Sequence, residues 1–158
     1  MRTEQKTIRS AIETYGADIL ASDGMKRERG FRQHGNTSVY DHSLAVTEEC
    51  LRVSRTLGLR VNERALVRGA LLHDYFLYDW HNKSNDHRWH GFIHADRALR
   101  NATRDFRLGR IERDMIYCHM FPLNFRFPHY RESVILCLAD KFCALREILR
   151  WKDAPGTK

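Results

Sequence analysis

Apolar residues recur every three or four positions along most of this chain, the spacing that lines one face of an α-helix. Ile8, Ala11, Ile12, Tyr15, Ile19 and Leu20 predict a packing helix over 7–20. The pattern lapses over 24–35, where Lys26, Arg27, Arg29 and Arg32 stand among glycines, and a basic loop is expected there. Asn36, Thr37 and Ser38 each offer an N-cap for a helix running to about Leu57, with Val39, Ser43, Val46 and Cys50 on one face and His42 in its first turns. Past Gly58, Asn62 can cap the next helix, in which Ala65, Leu66, Val67, Ala70, Leu71, Leu72 and Phe76 make a wide apolar surface. This is the most buried helix expected, and it includes His73 and Asp74.

The stretch 78–91 is polar and irregular, holds Asp79, Trp80, His81, Lys83, Asp86, His87 and His90, and is long enough for a functional loop. Helical spacing resumes over 92–102 with Phe92, Ala95, Ala98 and Leu99, and His94 falls in the first turn. Arg97, Arg100, Arg104, Arg107 and Arg110 form a basic stripe behind it, expected to be a solvated face. A shorter helix over 111–120 ends at His119, because Pro122 cannot continue the backbone ladder, and a loop follows over 123–129. The last helix, about 130–151, is expected to turn Val134, Leu138, Leu145 and Leu149 inward, with a frayed tail from Asp153. No segment reads as a strand, so the fold expected is all-α. One domain over 1–158 is expected, its core at about 37–149 behind an N-terminal helix and basic loop at 1–36.

Composition narrows the picture. A chain of 158 residues can bury a sizeable core without disulfides. No apolar run approaches the roughly 20 residues of a membrane span, so no membrane partner is expected. The first residues lack the apolar core of a signal peptide, which makes the cytoplasm the expected compartment. Cys50, Cys118, Cys137 and Cys143 have no Cys-x-x-Cys spacing and sit among apolar neighbours, as reduced core residues do. The net charge of +7 attracts anions: nucleic acid, a nucleotide or another phosphorylated small molecule.

The candidate chemistry lies in Leu71-Leu72-His73-Asp74-Tyr75-Phe76, where a histidine and an aspartate interrupt an apolar run. A buried carboxylate needs its charge compensated, and a metal ion does so. His42, His94, His119 and Asp140 also lie in or at the start of helical segments with apolar neighbours. Imidazole and carboxylate suit manganese, iron, cobalt, nickel and zinc. The six residues His42, His73, Asp74, His94, His119 and Asp140 suffice for two divalent ions. Neighbours on a helix point about 100° apart, so His73 and Asp74 can both border a cavity where helices converge, and Asp74 could bridge two ions. Two dications against two aspartates leave about +2, which favours an anionic substrate. Metals about 3.5–4 Å apart activate water and polarise phosphoryl oxygens, a route to phosphate-ester hydrolysis without a protein nucleophile.

The order His, His-Asp, His, His, Asp on successive helices resembles the HD-domain superfamily of metal-dependent phosphohydrolases, and its small bacterial members, over roughly Thr37 to Leu149. The resemblance implies an HD-type helical bundle in which His42, His73, Asp74 and Asp140 bind one metal. It implies that His94 and His119 complete a second, as in binuclear members, with His90, one turn earlier, competing with His94. Cyclic-di-GMP phosphodiesterases carry a lysine three places after the aspartate and a His-His pair, where this chain has Leu77 and Cys118-His119. Alarmone hydrolases carry Glu-Asp where this chain has Leu77 and Tyr78. Neither substrate is supported.

Lys141, beside Asp140, and Arg97, one turn beyond His94, are the cations expected to meet substrate phosphate, with His90 a further expected substrate contact and Lys141 expected to share in catalysis with Asp74. Asp79 is a candidate leaving-group acid or partner of a metal-bound histidine. The function expected is phosphomonoester or phosphodiester hydrolysis of a nucleotide or similar metabolite. Alternatives are a di-iron oxygenase on the same ligands, as in some relatives, and a nucleic-acid-binding protein with a structural metal site.

Overall fold

The computed structural model describes residues 2–33, 36–77 and 90–152. Seven helices lie among them: α1 (Arg2–Ala21), α2 (Asp23–Glu28), α3 (Val39–Thr56), α4 (Glu63–Leu72), α5 (His90–Asp105), α6 (Arg110–Cys118) and α7 (Arg131–Lys152). The fold is all-α, as the spacing predicts. The only β geometry among the described residues is an isolated antiparallel bridge, Arg32 to Ser38.

The caps fall where polar side chains precede apolar runs. Ser38 Oγ accepts from Asp41 N at 3.1 Å and Asn62 Oδ1 from Ala65 N at 3.0 Å, each cap contributing about 1 kcal/mol. The α4 helix lies at the centre, packed against α1, α3, α5, α6 and α7. Every residue from Ala65 to Leu72 is buried, Arg68 included, whose guanidinium reaches Asp18 Oδ1 at 2.6 Å and the Tyr15 carbonyl at 3.1 Å. Gly69 makes the α4–α6 contact possible: a Cβ there would lie 2.5 Å from Met115 Sδ. The four cysteines are buried and free.

Three expectations need correction. The basic stretch after Gly24 is not wholly a loop, because Ser22 caps α2 and its Met25 and Glu28 are buried. The α4 helix stops at Leu72, so His73 is its C-cap and Asp74 lies beyond it. Finally, Val134, Leu138, Leu145 and Leu149 do not point inward. They are 45 % to 65 % exposed, and the core side of α7 is instead Ile135, Leu136, Ala139 and Cys143. The helix carries two apolar stripes, and the one that includes Ile135, Leu136, Ala139 and Cys143 packs toward α3, α4 and α6.

Candidate metal centre

Chain reversal at the end of α4 creates the centre. Tyr75 N donates to the Leu72 carbonyl at 3.2 Å and Phe76 N to the Asp74 carbonyl at 2.7 Å, a tight turn. Asn101 of α5 clamps the outgoing segment through the carbonyls of Tyr75 (3.2 Å) and Phe76 (3.0 Å). His73, the C-cap, keeps helical backbone angles (φ −60°, ψ −34°), and both it and Asp74 border the same interior space, with Asp74 Oδ2 3.3 Å from His73 Nε2.

Six side chains meet there, all buried: His42 from α3, His73 and Asp74 from the turn, His94 from α5, His119 from the end of α6 and Asp140 from α7. They divide into two groups able to hold an ion, His42–His73–Asp140 and Asp74–His94–His119. Asp74 faces both. Its Oδ2 lies 3.3 Å from His73 Nε2 and 3.8 Å from His42 Nε2, and its Oδ1 lies 3.4 Å from the Nε2 of both His94 and His119. Within the groups, His42 Nε2 is 3.1 Å and His73 Nε2 3.7 Å from Asp140 Oδ1, and the Nε2 atoms of His94 and His119 are 2.8 Å apart.

The opposite edges of three imidazoles are fixed by acceptors. His73 Nδ1 donates to the Ala70 carbonyl and His119 Nδ1 to the Ile116 carbonyl, both at 2.8 Å, and His42 Nδ1 donates to the Glu147 carboxylate at 3.0 Å. A proton on Nδ1 leaves Nε2 as the lone-pair atom directed inward, the tautomer that binds metal.

Two buried atoms test whether a metal fits. His73 Nε2 and Asp74 Oδ1 have no hydrogen-bond partner. Burying an unpaired polar atom costs about 1–3 kcal/mol, and more when it is charged, so these two atoms call for a cation. The donor set, imidazole nitrogen and carboxylate oxygen, suits a borderline divalent ion.

Electrostatics distinguish the groups. Burial lowers the His42 pKa, but the hydrogen bonds to Asp140 and Glu147 outweigh it and raise it to about 9. Burial acts likewise on His73, yet the Asp74 charge and contacts to Asp140 raise it well above its ordinary value. Asp74 and Asp140 are pushed up by burial, but the imidazoles around them hold both well below the carboxylate range. His119 is lowered by burial, an effect that Asp74 only partly offsets.

The other expected site residues are more scattered. Lys141 Nζ donates to the carbonyls of His119 (2.9 Å) and Cys137 (3.2 Å), tying α7 to the end of α6, and lies 3.9 Å from Asp140 Oδ2. Arg97 is exposed on α5. Asp79, the loop around it, the side chain of His90 and the tail from Asp153 lie outside the described residues.

Three residues near the centre were not anticipated. Glu147 lies seven residues after Asp140, two turns along the same face of α7, a spacing that could have revealed it. Gln33 Nε2 donates to Asp74 Oδ2, brought there by the bridge between Arg32 and Ser38. Glu28 is fully buried, and burial, followed by the charge of Asp74, raises its carboxyl well above its ordinary range. Neither Gln33 nor Glu28 has a periodic signal in the sequence.

The described residues form an all-α fold around two histidine–aspartate groups, each of which could hold a metal ion. A family model for the HD domain matches residues 39–145, and the chain belongs to that family. Neither curated proteins nor solved structures give a match. No helix among the described residues is long and apolar enough to cross a membrane.

Proposed function

We propose that this chain is a binuclear metal-dependent phosphohydrolase acting on a nucleotide or another phosphorylated small molecule. The observation that carries the reading is the shared carboxylate, one oxygen of Asp74 facing His42 and His73 and the other facing His94 and His119. In this reading His42, His73 and Asp140 would hold one divalent ion and His94 and His119 the second, with Asp74 contributing a carboxylate oxygen to each side. When bound, such a pair supplies activated water and charge neutralisation at a phosphoryl group.

The chain's own residues supply orientation. The carbonyls of Ala70 and Ile116 and the Glu147 carboxylate set the imidazole tautomers, and Gln33 holds Asp74 Oδ2 in place. Lys141 braces the backbone of His119, so its part in phosphate binding is subordinate to positioning. Asp79 is proposed as leaving-group acid and Arg97 as a phosphate contact. The surplus of 27 basic over 20 acidic residues favours an anionic substrate.

The test is elemental analysis of purified protein, followed by a screen of phosphorylated metabolites with manganese, iron, cobalt, nickel and zinc. Two ions per chain are expected, with phosphate release that His73→Ala abolishes together with metal content. Full turnover by metal-free His73→Ala would retire the proposal. Oxygen uptake with iron, in place of phosphate release, would favour the oxygenase reading.

A further inference from the structure

The outer face of α7 is apolar along most of its length. Every exposed residue from 134 to 149 is hydrophobic: Val134, Leu138, Phe142, Leu145 and Leu149. The two nearby cations are turned back onto the protein. Lys141 donates to the carbonyls of His119 and Cys137, and the Arg146 guanidinium lies 5.6 Å over the Phe142 ring, with one nitrogen 3.8 Å from Cys143 Sγ. Exposed charge appears only at the ends, at Arg131 and Arg150.

The stripe is spaced for another helix. Leu138, Phe142, Leu145 and Leu149 follow one another at four, three and four residues, the alternation of a coiled-coil seam. The spacing is also nearly symmetric about Phe142, with Leu138 and Leu145 flanking it and Val134 and Leu149 beyond. An antiparallel second α7 therefore sets Phe142 against Phe142, Leu138 against Leu145 and Val134 against Leu149. A surface that complements itself under a two-fold rotation is what a symmetric dimer requires.

The area agrees with a dimer. Five side chains, each 45 % to 65 % exposed, the aromatic one being about 150–250 Å² in full, leave on the order of 500 Å² of apolar surface in one strip. A standard interface covers about 800 Å² per partner around an apolar centre, and the strip supplies that centre. Anionic partners such as nucleic acid need cations along the contact; between Arg131 and Arg150 every exposed residue is hydrophobic, the Arg146 guanidinium is stacked over the Phe142 ring and Lys141 is engaged by backbone carbonyls.

We propose that the outer face of α7 is the interface of a homodimer, two copies pairing antiparallel about Phe142. Asp140 is on the opposite, buried side of the helix, so the two metal centres face away from the joint. This proposal stands whether or not the centre hydrolyses phosphate.

Sedimentation equilibrium of the full chain at micromolar concentration tests it. The expected species has twice the 18.7 kDa chain mass. Leu138→Glu and Leu145→Glu should each raise the dimer Kd at least ~30-fold, the effect of a central interface residue, with helical circular dichroism unchanged. Should those variants fail to fold, Phe142→Cys decides: oxidation should link two chains through it, while Glu13→Cys on α1 should not. A wild-type monomer throughout the micromolar range overturns the proposal. So does a dimer that neither glutamate variant weakens, failure of Phe142→Cys to cross-link, or a monomer that co-sediments with phosphatidylserine vesicles through this face.

Discussion

The two halves of the centre use the same ligand types but balance charge differently. Around His42 and His73 stand three carboxylates, Asp140, Asp74 and Glu147, within 3.0–3.8 Å of an imidazole nitrogen. Both imidazoles there have raised pKa values, so a proton can take the place of a cation. Around His94 and His119 the carboxylate oxygen seen among the described residues is Asp74 Oδ1, and the imidazoles face one another at 2.8 Å. Two imidazolium rings cannot share so short a contact, and His119 is shifted toward its neutral form. A metal at the first half would therefore compete with protons, whereas burial shifts His119 toward its neutral form.

Asp74 is the one element common to both halves, so its replacement should have the largest effect. Asp74→Asn keeps the shape but removes the charge, and should cost more in metal affinity than the ~10–100-fold typical of a residue behind a ligand. Calorimetric titration with manganese should show both binding events lost and turnover abolished. Retention of one full-affinity ion would mean that the halves are not joined through this residue.

The six side chains that meet at the centre were legible because each is a polar group in an apolar segment, and an uncompensated buried charge is too costly to be incidental. The all-α fold was legible for the same reason, since periods near 3.6 record a buried face. The end of α4 was not: Leu71 to Phe76 is apolar enough to continue a helix, and nothing in that stretch announces the turn after Leu72 or Asn101, 25 residues away, capturing the Phe76 carbonyl. Nor was the inward face of α7. Apolar residues surround that helix, and a helix apolar on both sides has no single periodic face, so only its neighbours decide which stripe is buried. Gln33 was hidden within a stretch that reads as a loop.

Glu147 sharpens the contrast in proton competition. Below pH about 9 a metal must displace the proton from His42, so affinity at this half should rise with pH and level off above 9. Without metal, the same imidazolium stabilises the fold fully below its ordinary value near 6.5 and loses that contribution as pH rises through about 9. Glu147→Gln removes one of the two hydrogen-bonded anions that raise the His42 pKa. Metal affinity at the first half should fall ~10–100-fold at high pH, where no proton competes, and the pH at which it levels off should drop. Titrations at several pH values check both. An unchanged profile would mean that Glu147 neither orients nor charges His42.

Gln33 should give the smallest effect, and it probes whether the bridge is held evenly. Its amide donates to Asp74 Oδ2, the oxygen on the His42–His73 side, while Asp74 Oδ1 has no hydrogen-bond partner. Gln33→Leu keeps the bulk and removes the donor. A hydrogen bond to a charged acceptor contributes about 1.5–3 kcal/mol, but a metal ion on the same oxygen takes over much of that role. The expected cost is therefore about tenfold in affinity at the first half, with the second half almost unmoved. Glutamate at this position should do more harm than leucine, because a second carboxylate against Asp74 repels it unless a proton or metal lies between them. Equal losses at both halves would show that Gln33 sets the orientation of the whole carboxylate; a loss confined to the first half would show that each oxygen of Asp74 is tuned by its own neighbours.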